Sequence, residues 1–120
     1  MATKETTYDQ TQIAEKLKAL PGWYFDDGWI RRVYKTDGWA TTLMLVNAVG
    51  YFAQAADHHP DLSVTWGRLT VKLATHSPGG ITDKDFELAR RIEDAALWRP
   101  AEGSALRAIQ NKWVRGGDPR

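Results

Sequence analysis

The stretch LSVTWGRLTVKLATH, Leu62–His76, alternates apolar and polar residues on either side of a glycine. Leu62, Val64 and Trp66 share one parity; beyond Gly67, Leu69, Val71 and Leu73 alternate with Thr70, Lys72 and Ala74. A period of two marks strands with one buried face, and Gly67-Arg68 suits a two-residue turn with glycine first. The stretch predicts an antiparallel hairpin with Trp66 on its core side. His76 falls at or just past its end, with the parity of Thr70 and Lys72.

A second hairpin lies upstream. In WYFDDGWIRRVYK, Trp23–Lys35, aromatic and β-branched residues flank Asp27-Gly28, a favoured hairpin turn. Strands are expected at about 23–25 and 29–35. Between the hairpins, GWATTLMLVNAVGYFAQAA, Gly38–Ala56, carries no charge. Its length raises a membrane span, but Thr41, Thr42, Asn47, Gly50 and Gln54 interrupt it, and a helix apolar almost all round is better buried in protein. In so short a chain, a sheet on one side and another subunit on the other would bury both faces.

Thr11–Leu20 has apolar residues at helical spacing and ends at Pro21-Gly22, which predicts a short first helix. ITDKDFELARRIEDAALW, Ile81–Trp98, predicts a longer one, with Thr82 as N-cap and Asp85 at the capping-box position. Phe86, Ala89, Ile92 and Ala96 mark its expected buried stripe. The order of elements gives an α+β fold: a four-stranded antiparallel sheet with helices packed on one face. The chain reads as one domain over 1–120, with a core at about 11–98 and a C-terminal extension at 99–120. In the extension Ser104–Trp113 suits a short helix, RGGDPR is loose, and Trp98 and Trp113 are expected to pack within the chain.

Composition narrows the function classes. With 42% hydrophobic and 26% charged residues, the 120-residue chain is ordinary for a soluble globular protein. A formal net charge of +1 gives no reason to expect nucleic acid or a membrane surface. The absence of cysteine excludes disulfides and thiolate chemistry. The N-terminus MATKETTYDQ is polar and lacks a signal core, so a cytoplasmic location is expected.

The chain has three histidines: His58 and His59 side by side before Pro60, and His76 after Thr75. Pro60 biases His59 away from helical angles, so the uncharged helix should end before it. Four readings are open. Three imidazoles can hold a catalytic zinc, although neighbours in an extended segment point apart. Nucleophilic catalysis lacks a cysteine or a serine in an elbow pattern. Acid–base work on a neutral small molecule suits a side chain that titrates near neutral pH. Finally, the histidines can simply end a helix and a strand with satisfied hydrogen bonds.

The residues that decide among these form a wider pattern. His58-His59-Pro60, an aromatic at Trp66, Thr75-His76, and GGITDKDFELA with Asp85 together resemble the pterin-4a-carbinolamine dehydratases. The resemblance runs over about residues 13–97. It implies the α+β layer above, assembled as a homodimer or homotetramer, the tetramer through a helical interface. It implies removal of water from a 4a-hydroxytetrahydropterin to give the quinonoid dihydropterin, with no metal or organic cofactor. His58 and His76 are the expected proton carriers and His59 binds or polarises the pterin; Asp57, Pro60 and Thr75 are the expected substrate-binding neighbours. Asp57 also reads as a solvated loop acid and Asp85 as a helix cap. Relatives of this family also serve as a dimerisation cofactor of a transcription factor or as an assembly factor for a carbon-fixing enzyme, so a protein-binding scaffold is the alternative, with a possible protein partner. One departure stands out: the position four residues before His58, often acidic in the family, is Gln54.

Overall fold

The turn of the first hairpin forms where its sequence puts it, with Asp27 at φ 48° and Gly28 at φ 85°. Positive φ at both central residues is the requirement of a type I′ turn, and Asp-Gly meets it at low cost. The computed structural model describes residues 6–109 and 113–119. Strand β1 is Tyr24–Asp26 and β2 is Trp29–Thr36; β3 is Asp61–Thr65 and β4 is Arg68–Leu73; β5 is Val114–Gly116. The helices are α1, Gln10–Leu17; α2, Trp39–Ala56; and α3, Asp83–Ala96.

The sheet is antiparallel, in the order β1-β2-β4-β3, with β5 also paired to β2. Ile30 stands opposite Leu73, Arg32 opposite Val71 and Tyr34 opposite Leu69, so these six share one face. That face packs on Ile13 of α1, Leu45 and Val49 of α2, and Leu88 and Ile92 of α3. The other face carries Trp29, Arg31, Lys35, Thr70 and Lys72 and, among the described residues, has no helix layer of its own. The α+β fold with helices on one face stands as expected.

Several local expectations are corrected. The sheet has five strands, not four, because Val114–Gly116 pairs with Tyr34–Thr36 of β2. It occupies the edge of β2 that β1, paired only to Trp29–Arg31, leaves bare. No helix forms over the described part of Ser104–Trp113; residues 110–112 of that segment lie outside the described residues. The second hairpin turns on Trp66-Gly67 rather than Gly67-Arg68, since Thr65 pairs with Arg68. Trp66 is therefore a turn residue, 68% exposed, instead of a core residue. Its ring lies against Gly38, where an added Cβ would come within 3.2 Å of it. In α3 the stripe facing the sheet is Asp85, Leu88, Ala89, Ile92, Glu93 and Ala96, and Phe86 is only half-buried, beside Tyr8. Trp98 is exposed, while Trp113 packs against the core.

Helix α2 buries Thr41, Thr42, Leu45, Val49 and Ala53 against the sheet, and leaves Trp39, Leu43, Met44 and Tyr51 exposed. Among the described residues no helix is long and apolar enough to cross a membrane.

A charged cluster is built into the core. Glu93 of α3 accepts hydrogen bonds from Trp23 Nε1 at 2.9 Å, Tyr34 Oη at 2.6 Å, and Arg32 Nε and Nη2 at 2.9 and 3.0 Å. Burial alone would raise the Glu93 pKa, but the Arg32 guanidinium and the Tyr34 hydroxyl hold it below the usual carboxylate range. Burial, reinforced by the Glu93 carboxylate, pushes the Tyr34 phenol well above its ordinary value. Gly22, at φ 92°, and Gly116 close over the guanidinium, and a Cβ at Gly22 would overlap it. Arg32 thus joins the loop after α1, the sheet and β5 to α3.

Candidate active site

The paired histidines begin where α2 stops. Asp57 caps the helix in the left-handed conformation, φ 50° and ψ 44°, and His58 N–H donates to Ala53 O at 3.1 Å. Aspartate tolerates that conformation better than most non-glycine residues, so its place here is structural as well as acidic. The cap turns the chain sharply and brings His58 towards the start of α3.

There, His58 Nε2 lies 2.7 Å from Asp85 Oδ1. Asp85 is fully buried, and the His58 side chain is 12% exposed. The other carboxylate oxygen, Oδ2, accepts from the Thr82 amide and from the Thr75 hydroxyl, both at 2.9 Å. When the Asp85 carboxylate is ionised it can only accept, which puts the hydrogen between the pair on His58 Nε2; in the neutral imidazole Nδ1 then carries the lone pair. Asp85 thus serves two ends. It completes the capping box of α3 with Thr82, and it fixes the tautomer of His58.

Thr75 ties His76 to the same carboxylate. Thr75 is buried, forms an isolated bridge with Gly80, and shares a 2.8 Å hydrogen bond with the Thr82 hydroxyl. His76 follows it with the opposite parity, so it leaves the helix side of the sheet. Its ring meets Trp29 of β2 edge to face, with centroids 6.2 Å apart and planes at 82°. His59 is exposed, and its Nε2 lies 3.0 Å from Gln54 Oε1.

The three rings therefore have different neighbours: His58 on Asp85, His59 on Gln54, His76 on Trp29. All lie towards one end of the β3–β4 hairpin, since Asp61, which opens β3, pairs with Lys72 near the end of β4. A hollow of about 520 Å³ between α2 and α3 is lined by His58 with Tyr51, Phe52, Lys84, Glu87 and Arg91; neither His59 nor His76 lines it. Of the other residues singled out from the sequence, Asp57 is exposed at the helix cap, Pro60 is half-buried, and Thr75 is on Asp85. Spacing along the chain does not reveal that Asp85 holds His58. A buried carboxylate at the N3 position is already accounted for by capping, and the signal for a second role was its place in the family pattern.

The family model described as pterin 4 alpha carbinolamine dehydratase matches residues 6–95. A protein of Aquifex aeolicus that is provisionally named a pterin-4-alpha-carbinolamine dehydratase is 40% identical over 85 residues, 71% of this chain and 86% of that protein. A Nocardia farcinica protein with the same provisional name is 38% identical over 94 residues, 78% of this chain and 98% of that protein. The crystal structure of a transcriptional coactivator/pterin dehydratase from Brucella melitensis superposes with a TM-score of 0.69 at 31% identity. It covers 73% of this chain and 96% of the Brucella chain.

Proposed function

The chain belongs to the pterin 4 alpha carbinolamine dehydratase family, and on that premise we propose that it is a hydro-lyase that converts a 4a-hydroxytetrahydropterin to the quinonoid dihydropterin. The reaction breaks the C4a–O bond, removes the proton on the neighbouring ring nitrogen, and forms the C=N bond between them. The leaving hydroxyl takes a proton and departs as water. The observation that carries this reading is the 2.7 Å contact between His58 and the buried Asp85 carboxylate. An imidazole held as the Nε2–H tautomer has a basic Nδ1, and the carboxylate behind it stabilises the imidazolium that forms. His58 is the base that takes the ring-nitrogen proton. His76 delivers a proton to the departing hydroxyl. His59, steadied by Gln54, polarises the pterin, with Asp57, Pro60 and Thr75 shaping its surroundings. The chain's own residues supply every step, and the reaction needs no metal or organic cofactor. The proposed setting is cytoplasmic, as a homodimer or homotetramer in which a second copy covers the exposed Trp39, Leu43, Met44 and Tyr51 of α2.

Turnover of 4a-hydroxytetrahydropterin above the spontaneous rate tests the reading. His76→Ala is expected to lower kcat by about 10²-fold or more, the usual scale for losing a positioned acid, with KM little changed. His59→Ala is expected to raise KM with a smaller change in kcat. Equal, uncatalysed rates for the wild type and both variants would remove the enzyme and leave the second reading, a protein-binding scaffold on the same fold. That reading is favoured by the apolar side chains exposed on α2 and by the double name carried by the Brucella neighbour.

A further inference from the structure

Lys72 sits on β4, a central strand, on the face without helices. Its neighbours across the strands are Arg31 on one side and Asp61 on the other. Like charges directly opposite one another in a sheet repel, and opposite charges there normally pair. Arg31 is answered by Asp26, 4.0 Å away. Lys72 forms no ion pair with Asp61. Its ammonium lies 5.0 Å from the centroid of the Trp29 ring, and Trp29 is the ring that meets His76. Among the described residues the Lys72 ammonium has no carboxylate or other hydrogen-bond acceptor. A cation with three donors is thus held by one aromatic ring at the edge of the proposed site, its own acid partner left across the strand pair.

We propose that Trp29 and Lys72 form a subsite beside His76 for an anionic substituent on the pterin, so that the protein prefers pterins with a phosphate or carboxylate on the side chain to those with a neutral one. This rests on the pterin reading of the site. The fixed ring sets where the ammonium can reach, and the ammonium supplies the charge-assisted hydrogen bond that a neutral side chain cannot use. The subsite lies on the outer face of the sheet, so the substituent points away from the hollow between α2 and α3.

Equilibrium binding by calorimetry tests this without turnover, using 6-hydroxymethyl-7,8-dihydropterin, its phosphate ester, and dihydropterin-6-carboxylate. The wild type should bind at least one of the two anionic pterins about tenfold more tightly than the neutral one, a gap that shrinks with added salt. The two anionic arms tell a phosphate site from a carboxylate site. Lys72→Met should bring the affinities within about twofold of each other while leaving the neutral pterin's affinity unchanged, and Lys72→Arg should restore the preference. Equal wild-type affinities for all three ligands would overturn the subsite and leave the dehydratase reading intact, and a preference that survives in Lys72→Met would do the same. Failure of the neutral pterin and both anionic ones to bind would remove both.

Discussion

Asp85→Asn is expected to cut kcat/KM for 4a-hydroxytetrahydropterin by roughly 10²–10⁴-fold, the range lost with a positioned acid–base group. The change is nearly isosteric. The asparagine oxygen can still accept from the Thr82 amide and the Thr75 hydroxyl, which hold Oδ2 in the parent at 2.9 Å. Its amide NH₂ then faces His58 in place of Oδ1 and, being a donor, makes Nε2 the acceptor. The hydrogen moves to Nδ1, and the lone pair that the reaction needs points at the introduced amide instead of the substrate. Because the capping box keeps its acceptor, the melting temperature should fall far less than the rate does. Parallel rate and thermal-melt measurements separate the two effects, and a variant with activity within threefold of the parent would show that Asp85 does no more than cap α3.

Glu93→Leu is expected to destabilise the fold by about 3–5 kcal/mol, the cost of removing one member of a buried ion pair. That is a large share of the roughly 5–15 kcal/mol that holds a domain of this size together. The substitution strands Arg32, 7% exposed, together with the Trp23 indole N–H and the Tyr34 hydroxyl. Chemical denaturation of the variant against the parent measures the loss directly. The same cluster sets a pH dependence. The Glu93 pKa is lowered in the folded state, so its contribution is complete above the ordinary carboxylate value of 4.5 and drains away as pH falls below it. The Tyr34 pKa is raised, so its contribution is complete below the ordinary phenol value of 10.0 and is lost as pH climbs above it. Neither of these two groups therefore makes stability pH-dependent between those limits, and Glu93→Gln should flatten the acid side of the parent's curve.

Much of this arrangement can be read from local chemistry. Asp27-Gly28 reports its turn because only a few residue types accept positive φ at both positions. The caps of α3 and the end of α2 before Pro60 follow from which backbone groups lack partners there. What escapes local reading depends on distant residues. Strand β5 exists because β1 covers only Trp29–Arg31 along one edge of β2, a fact absent from the composition of VRG. Trp66 shares its parity with Leu62 and Val64, yet β3 is an outer strand of the sheet, where Val64 is also exposed. Alternation reports which face a side chain takes, and says nothing of whether a helix covers that face at the edge.

The site divides in the same way. The adjacent histidines and Thr75-His76 stand out as a pattern, and Gln54 turns out to touch His59. The partnership of His58 with Asp85 spans 27 positions, and that of His76 with Trp29 joins the segment after β4 to the start of β2. Neither can be seen until the hairpin register is known. Lys72 is the sharper case. Its cross-strand position opposite Asp61 predicts an ion pair, and the ammonium lies over Trp29 instead.

The most direct test is the rate at which quinonoid dihydropterin appears from 4a-hydroxytetrahydropterin, followed by absorbance with the parent protein and with His58→Ala at matched folded fraction. The parent should run far above buffer, and His58→Ala should fall most of the way back to it. A His58→Ala protein that stays folded and dehydrates the pterin as fast as the parent would remove His58, and the Asp85 that holds it, from the reaction.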